Sequence, residues 1–189
     1  MPDALELLQI RRSVKPMEMT GPGPSPADID TLLKIASRVP DHGKLAPWRF
    51  IVFEGDARLE AGKKVAAVFQ ASHPDATADQ INFEAQRLAR APLVIAVVSR
   101  AAPHGKIPEW EQVMSAGASA MLLVTAAHAM GFAASWLTEW YAYDRNVLDA
   151  LGLSAHERLA GYVHIGTPTR TPEDRERPKF ESIVTHYGK

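Results

Sequence analysis

From Gln112 to Thr138 the chain carries no Asp, Glu, Lys or Arg, and this uncharged stretch constrains the fold more than any other feature of the sequence. A hydropathy window over it could suggest a membrane span. Yet Ser115, Ser119, Thr125 and His128 interrupt it, acidic Glu109 and Glu111 precede it, and neither flank carries a basic cluster. The segment therefore reads as a buried helix from about Glu109 to Met130, closed by Gly131, and then a buried strand over Phe132–Leu137. Within the helix, Ala116-Gly117-Ala118-Ser119-Ala120 is small on every side, so another backbone can approach closely. A helix that is apolar all round must be covered all round. A single sheet covers one side, and a second copy of the chain is the expected cover for the other.

Around this centre the pattern alternates helices with short apolar strands. Asp3 caps a first helix through about Arg11. Ser25-Pro26-Ala27-Asp28 opens a second with a capping hydroxyl, proline at N1 and an acidic N3, and it should stop before Pro40. Two further helices are expected over about 58–70 and 75–90, broken at His73-Pro74, and a short one over 145–151. Strands are expected over Phe50–Phe53, Leu93–Val98 and Leu159–Ile165, the second so continuously apolar that both its faces must be covered. Residues 16–26 read as a Pro/Gly loop, and residues 168–189 as a proline-rich, charged tail. The pattern is that of an α/β or α+β domain, and 189 residues suit one such domain with its tail.

Composition excludes several classes of function. A formal net charge of −1 offers no field to collect nucleic acid or an anionic membrane. With no cysteine there is no disulfide, thiolate metal site or cysteine nucleophile. No His pair stands at i, i+4, and neither a Gly-x-Gly-x-x-Gly turn nor a Walker loop is present, so no metal, Rossmann or P-loop site is expected. The first residues show no basic region leading into an apolar run, so the expected location is the cytoplasm.

Two clusters can carry chemistry. Arg11-Arg12-Ser13 ends the first helix, and two guanidiniums with a hydroxyl suit a phosphate; the same residues could instead offset the helix dipole. Pro40 to Trp48 is a proline-bracketed loop holding Asp41, His42, Lys44 and Trp48. Asp41 and His42 could be half of a hydrolytic triad, but no nucleophile elbow completes it.

Taken in order, Arg11-Arg12-Ser13, Arg38-Val39-Pro40-Asp41-His42, Ala46-Pro47-Trp48, Trp110-Glu111-Gln112 and Met114-Ser115-Ala116-Gly117-Ala118 resemble the nitroreductase family, in its short bacterial NAD(P)H-dependent branch. The resemblance runs from Ala4 to about Pro168. It implies an α+β nitroreductase-like fold, with a central, mostly antiparallel sheet flanked by helices. It also implies an entwined homodimer whose C-terminal tail, residues 168–189, crosses the partner subunit. The cofactor would be non-covalent FMN at the dimer interface, with NAD(P)H as electron donor and a nitroaromatic or quinone-like small molecule as acceptor, reduced in a ping-pong relay. By position, Arg11, Arg12 and Ser13 would hold the flavin phosphate and ribityl chain from one subunit, with Lys15 a further candidate, while Arg38 and His42 would come from the other. Trp136, Leu137 and Thr138 would lie beside the flavin, and Ala126, Ala127, His128, Ala129, Met130 and Gly131 would serve the nicotinamide cofactor. No catalytic acid or base is implied. Two positions depart from the family pattern: Ala46 stands where glutamine is common, and Leu137 where a basic residue is common. A flavin-binding or sensory module without turnover, and a related flavin dehydrogenase or dehalogenase, are the alternative readings.

Overall fold

The computed structural model describes residues 3–188. The chain runs α1 (Ala4–Ile10), β1 (Met19–Thr20), α2 (Pro26–Ala36), β2 (Trp48–Glu54), α3 (Ala57–Ser72), α4 (Ala78–Ala85), β3 (Leu93–Ser99), α5 (Glu109–Ala129), β4 (Ala133–Leu137), α6 (Arg145–Ala150) and β5 (Arg158–Pro168). Every strand pair among the described residues is antiparallel, as expected for an α+β sheet. β3 lies between β2 and β5, and the other edge of β5 carries β4 along Tyr162–Gly166 and then β1 along Thr167–Pro168.

Local chemistry explains where the helices begin. Ser25 and Asp28 form a reciprocal capping box at α2, with Pro26 at N1. Thr77 and Gln80 do the same for α4. The helix expected over 75–90 is shorter than its pattern suggests: α4 ends at Ala85, and Arg87–Ala89 tighten into a 3₁₀ turn. The reason is tertiary, because α3 packs so closely on this point that a Cβ on Gly62 would overlap the Ala85 carbonyl. β1 lies inside the segment expected to be only loop; it exists because β5 runs three residues past Ile165 and offers Thr167 and Pro168 as partners.

Both sheet faces are covered. Leu93, Ile95, Val97, Val163 and Ile165 point into a layer with α2 and α5. Val94, Ala96, Val98 and Tyr162 point into a second layer with α3 and α6. This two-sided burial is why β3 is a continuous apolar run. The uncharged stretch forms most of the 21-residue helix α5, whose first turn holds Glu109 and Glu111, and the strand that follows it, and among the described residues no helix is long and apolar enough to cross a membrane.

Candidate active site

α5 is the frame on which the candidate residues are hung. Its inner face is buried through Ser115, Ala116, Ser119, Ala120 and Leu123, whereas Trp110, Val113, Met114 and Met121 on its outer face are exposed. Ser119 donates to the Ala36 carbonyl (2.9 Å) and Ser115 to the Pro40 carbonyl (2.6 Å), tying the end of α2 and the loop beyond it to the N-terminal half of α5. That loop is shaped by Asp41, whose carboxylate accepts the main-chain N–H groups of Leu45 and Ala46 (3.0 Å each). The turn also places Gly43, Lys44 and Ala46 in the left-handed region. Asp41 is thus committed to the backbone and is no triad partner. His42 turns instead to Glu111 on α5, with Nδ1 2.8 Å from Oε2. His42, Trp110, Glu111, Met114 and Ser115 line a hollow of about 450 Å³. Trp48 joins this end through its indole N–H, which donates to the Ser115 hydroxyl (3.1 Å).

A second cluster gathers at the other end of α5. After α1 the chain is extended, and the Val14 N–H donates to the Ala134 carbonyl (3.3 Å), which lays Arg11 and Arg12 against the C-terminal turn of α5. Arg11, Arg12, Leu7, Val14 and His128 surround a hollow of about 210 Å³. Arg11 makes no side-chain hydrogen bond or ion pair among the described residues. Arg12 donates through Nε to the Glu173 carbonyl (3.1 Å) and stands 3.6 Å from the Asp174 carboxylate, so the start of the tail rests on it. Burial first, and then the neighbouring Arg11 charge, push His128 down to about 4, and its buried Nε2 has no partner among the described residues.

The third group is the end of β4. The ladder between β3 and β5 slips between Val97 and Val98, leaving Ala160 out of register. The carbonyl so freed accepts the Trp136 indole N–H (3.0 Å). A Cβ on Gly161 would overlap the Trp136 ring, so glycine is required for the indole to lie there. Trp136 thereby floors a hollow of about 590 Å³ between α5 and β5, walled by Val113, Met114, Met121 and Leu159.

The comparisons with known proteins place this arrangement. The Nitroreductase family model matches residues 8–167. The chain belongs to the nitroreductase family. It is 35% identical over 168 residues to the Escherichia coli K12 protein named "Putative NAD(P)H nitroreductase YdjA", covering 88% of each chain. Among solved structures it resembles a nitroreductase-like family protein from Bacillus cereus, with a TM-score of 0.86, 22% identity, and coverage of 100% of this chain and 98% of that one. A nitroreductase with bound FMN from Bacteroides fragilis gives a TM-score of 0.69 at 18% identity, covering 98% and 99%. These likenesses establish the nitroreductase fold and an oxidoreductase.

Within this nitroreductase the expected site residues fall into separate groups. Arg11, Arg12 and His128 share one hollow, with Ser13 and Lys15 exposed beside it. His42 lines another, and Arg38 is exposed in the loop before it. Trp136, Leu137 and Thr138 follow one another along β4 and its end. Of the stretch from Ala126 to Gly131, Ala126 and Ala127 face the core, His128 faces the arginines, Ala129 is exposed, and Met130 and Gly131 turn the chain into β4. Glu111, which the sequence offered only as part of the family pattern, and Gly161 were not among the expected site residues. Glu111 sits three residues before Met114 on the His42 side of α5, a signal helical spacing could have supplied. For Gly161, only the strand bulge reveals the need.

Proposed function

We propose that this nitroreductase binds FMN, takes reducing equivalents from NAD(P)H and passes them to nitroaromatic or quinone-like acceptors in alternation. We further propose that it works as a homodimer with each flavin site shared between subunits. The residues present fit a phosphorylated cofactor. Arg11 and Arg12 turn two guanidiniums toward one hollow, and among the described residues Arg11 has no carboxylate on it and His128 Nε2, beside them, has no partner. Arg11, Arg12 and Ser13 would hold the phosphate and ribityl chain, with Lys15 in reserve. Trp136, Leu137 and Thr138 would flank the ring system, and the segment Ala126 to Gly131 would lie on the nicotinamide side. When bound, FMN supplies the hydride chemistry: it accepts two electrons from the nicotinamide and yields them to the acceptor. The protein's part is to orient and exclude, so no acid or base is assigned. If one opening admits donor and acceptor in turn, initial-rate plots are parallel, as in ping-pong kinetics.

The observation that carries the shared site is the separation of His42 from Arg12. His42 shares its hollow with Ser115, and thirteen residues of helix separate Ser115 from His128, about 20 Å at 1.5 Å per residue. One subunit therefore cannot bring both ends to one phosphate. A two-fold axis across the middle of α5, through the exposed Val113, Met114 and Met121, runs two helices antiparallel. The His42 end of one subunit then meets the Arg12 end of the other. The tail, residues 168–189, would then pass over the partner.

Mixed subunits test this. Arg12→Ala and His42→Ala, each weak in FMN binding alone, are co-folded so that dimers form at random. Half the dimers are then mixed, and each carries one doubly damaged and one intact site. Roughly a quarter of all sites regain wild-type affinity, by symmetry. An FMN fluorescence titration with no high-affinity fraction, in a sample whose mixed dimers are verified by native mass spectrometry, refutes the shared site.

A further inference from the structure

The segment Trp136–Thr138 is anchored at both ends by residues that the reading above does not use. At its start, Trp136 is seated by the Ala160 carbonyl and the space over Gly161. At its end stands Glu139, whose Oε1 accepts Arg87 Nη1 (2.5 Å) and whose Oε2 accepts Arg90 Nη1 (2.9 Å) and the Tyr141 hydroxyl (2.7 Å). The next residue is tied as well: the Trp140 indole N–H donates to Glu84 Oε2 (2.8 Å). Glu84 in turn takes Arg87 through Nε (2.9 Å) and Nη2 (2.7 Å). The Arg87 and Arg90 side chains are only 14% and 11% exposed.

A five-residue strand that pairs, among the described residues, only with β5 should fray at its last residue. Here the carboxylate just beyond that end meets two buried guanidiniums and a phenol. Charges buried in this way add little net stability over apolar packing, but they over-determine one geometry. Glu139 sits directly after Thr138, so the geometry held is that of Leu137 and Thr138. We infer that Glu139 is a positioning residue for the flavin: it fixes the backbone against which the ring system lies, without touching the cofactor. The inference rests on the flavin reading of Trp136–Thr138 and adds a role that neither the family match nor the hollows assign.

The test separates the ring from the phosphate by titrating FMN and riboflavin onto the apoprotein and following flavin fluorescence. In Glu139→Gln both ligands lose affinity by the same factor, about tenfold, the low end of what outer-shell partners contribute at metal sites. In Arg12→Ala, FMN loses far more than riboflavin. Glu157→Gln, which breaks the buried pair with Arg49 (2.7 Å) outside this segment, serves as control: it lowers the melting temperature and leaves both affinities unchanged. Should Glu139→Gln fail to fold because Arg90 is left without a carboxylate, Glu139→Gln/Arg90→Met removes both charges together and is titrated in its place. Wild-type affinity for both flavins in the variant that folds overturns the positioning role, as does a loss confined to FMN or an equal loss in Glu157→Gln. A wild-type protein that binds neither flavin ends the flavin reading itself, a different result from either.

Discussion

The two faces of the sheet both bury apolar cores and are built by different means. The layer with α2 and α5 is built on Leu32, Leu93, Ile95, Val97, Leu123 and Val163, with a buried neutral hydrogen bond from Ser119 to the Ala36 carbonyl. The layer with α3 and α6 has its own apolar set. At its margin it also encloses Glu84, Arg87, Arg90 and Glu139, together with His164, whose ring nitrogens have no partner among the described residues. The first face is held by area removed from water, which tolerates small shifts. The second is held by charges that are costly to bury and must meet in one arrangement. The candidate flavin segment leaves the sheet beside the second.

Three measurements press on this contrast, the largest effect first. Arg87→Met strips Glu84 and Glu139 of a shared buried partner and is expected to cost about 3–5 kcal/mol in urea unfolding. A loss under about 1 kcal/mol would mean that the charged layer is no more demanding than the apolar one. Acid comes next. Burial foremost, with repulsion from Arg90, pushes His164 from 6.5 down to about 4. The unfolded chain therefore takes up the proton first as pH falls. Stability is whole above about pH 6.5 and is lost progressively toward pH 4, by up to roughly 3 kcal/mol for this one group. His128 titrates in the same window, so His164→Gln should flatten the stability profile between pH 6.5 and 4 without abolishing its slope. An unchanged slope would remove His164 from the account. The smallest effect belongs to the apolar face: Ser119→Ala deletes its neutral hydrogen bond and should cost about 1 kcal/mol. A cost as large as that of Arg87→Met would erase the distinction between the faces.

Much of the frame was legible because its causes are local. The Ser25–Asp28 box starts α2 where the sequence says it must, and the apolar run 93–98 is a strand covered on both sides. The uncharged stretch resolves into α5 and β4 because serines, His128 and Gly131 break it at the points a buried helix and strand require. Arg11 and Arg12 stood out in the sequence as residues able to hold a phosphate, by their chemistry and their place at a helix end, and the structure sets both on one hollow. β1 was not legible, since its two residues are a strand only through the extra length of β5. Nor was the early end of α4, which the approach of α3 at Gly62 imposes.

By itself, then, the sequence determined most of the helices and strands, though not β1 or the end of α4, together with the burial of α5 and the residue types able to hold an anion, because periodicity, capping and side-chain chemistry act over a few residues. Tertiary structure decided which of those residues meet. It paired His42 with Glu111 rather than Asp41, set His42 and Arg12 at opposite ends of α5, opened a seat for Trp136 at Gly161, and drew Glu139 to arginines about fifty residues earlier in the chain. Such meetings depend on how the chain returns on itself, and no local pattern in the chain encodes them.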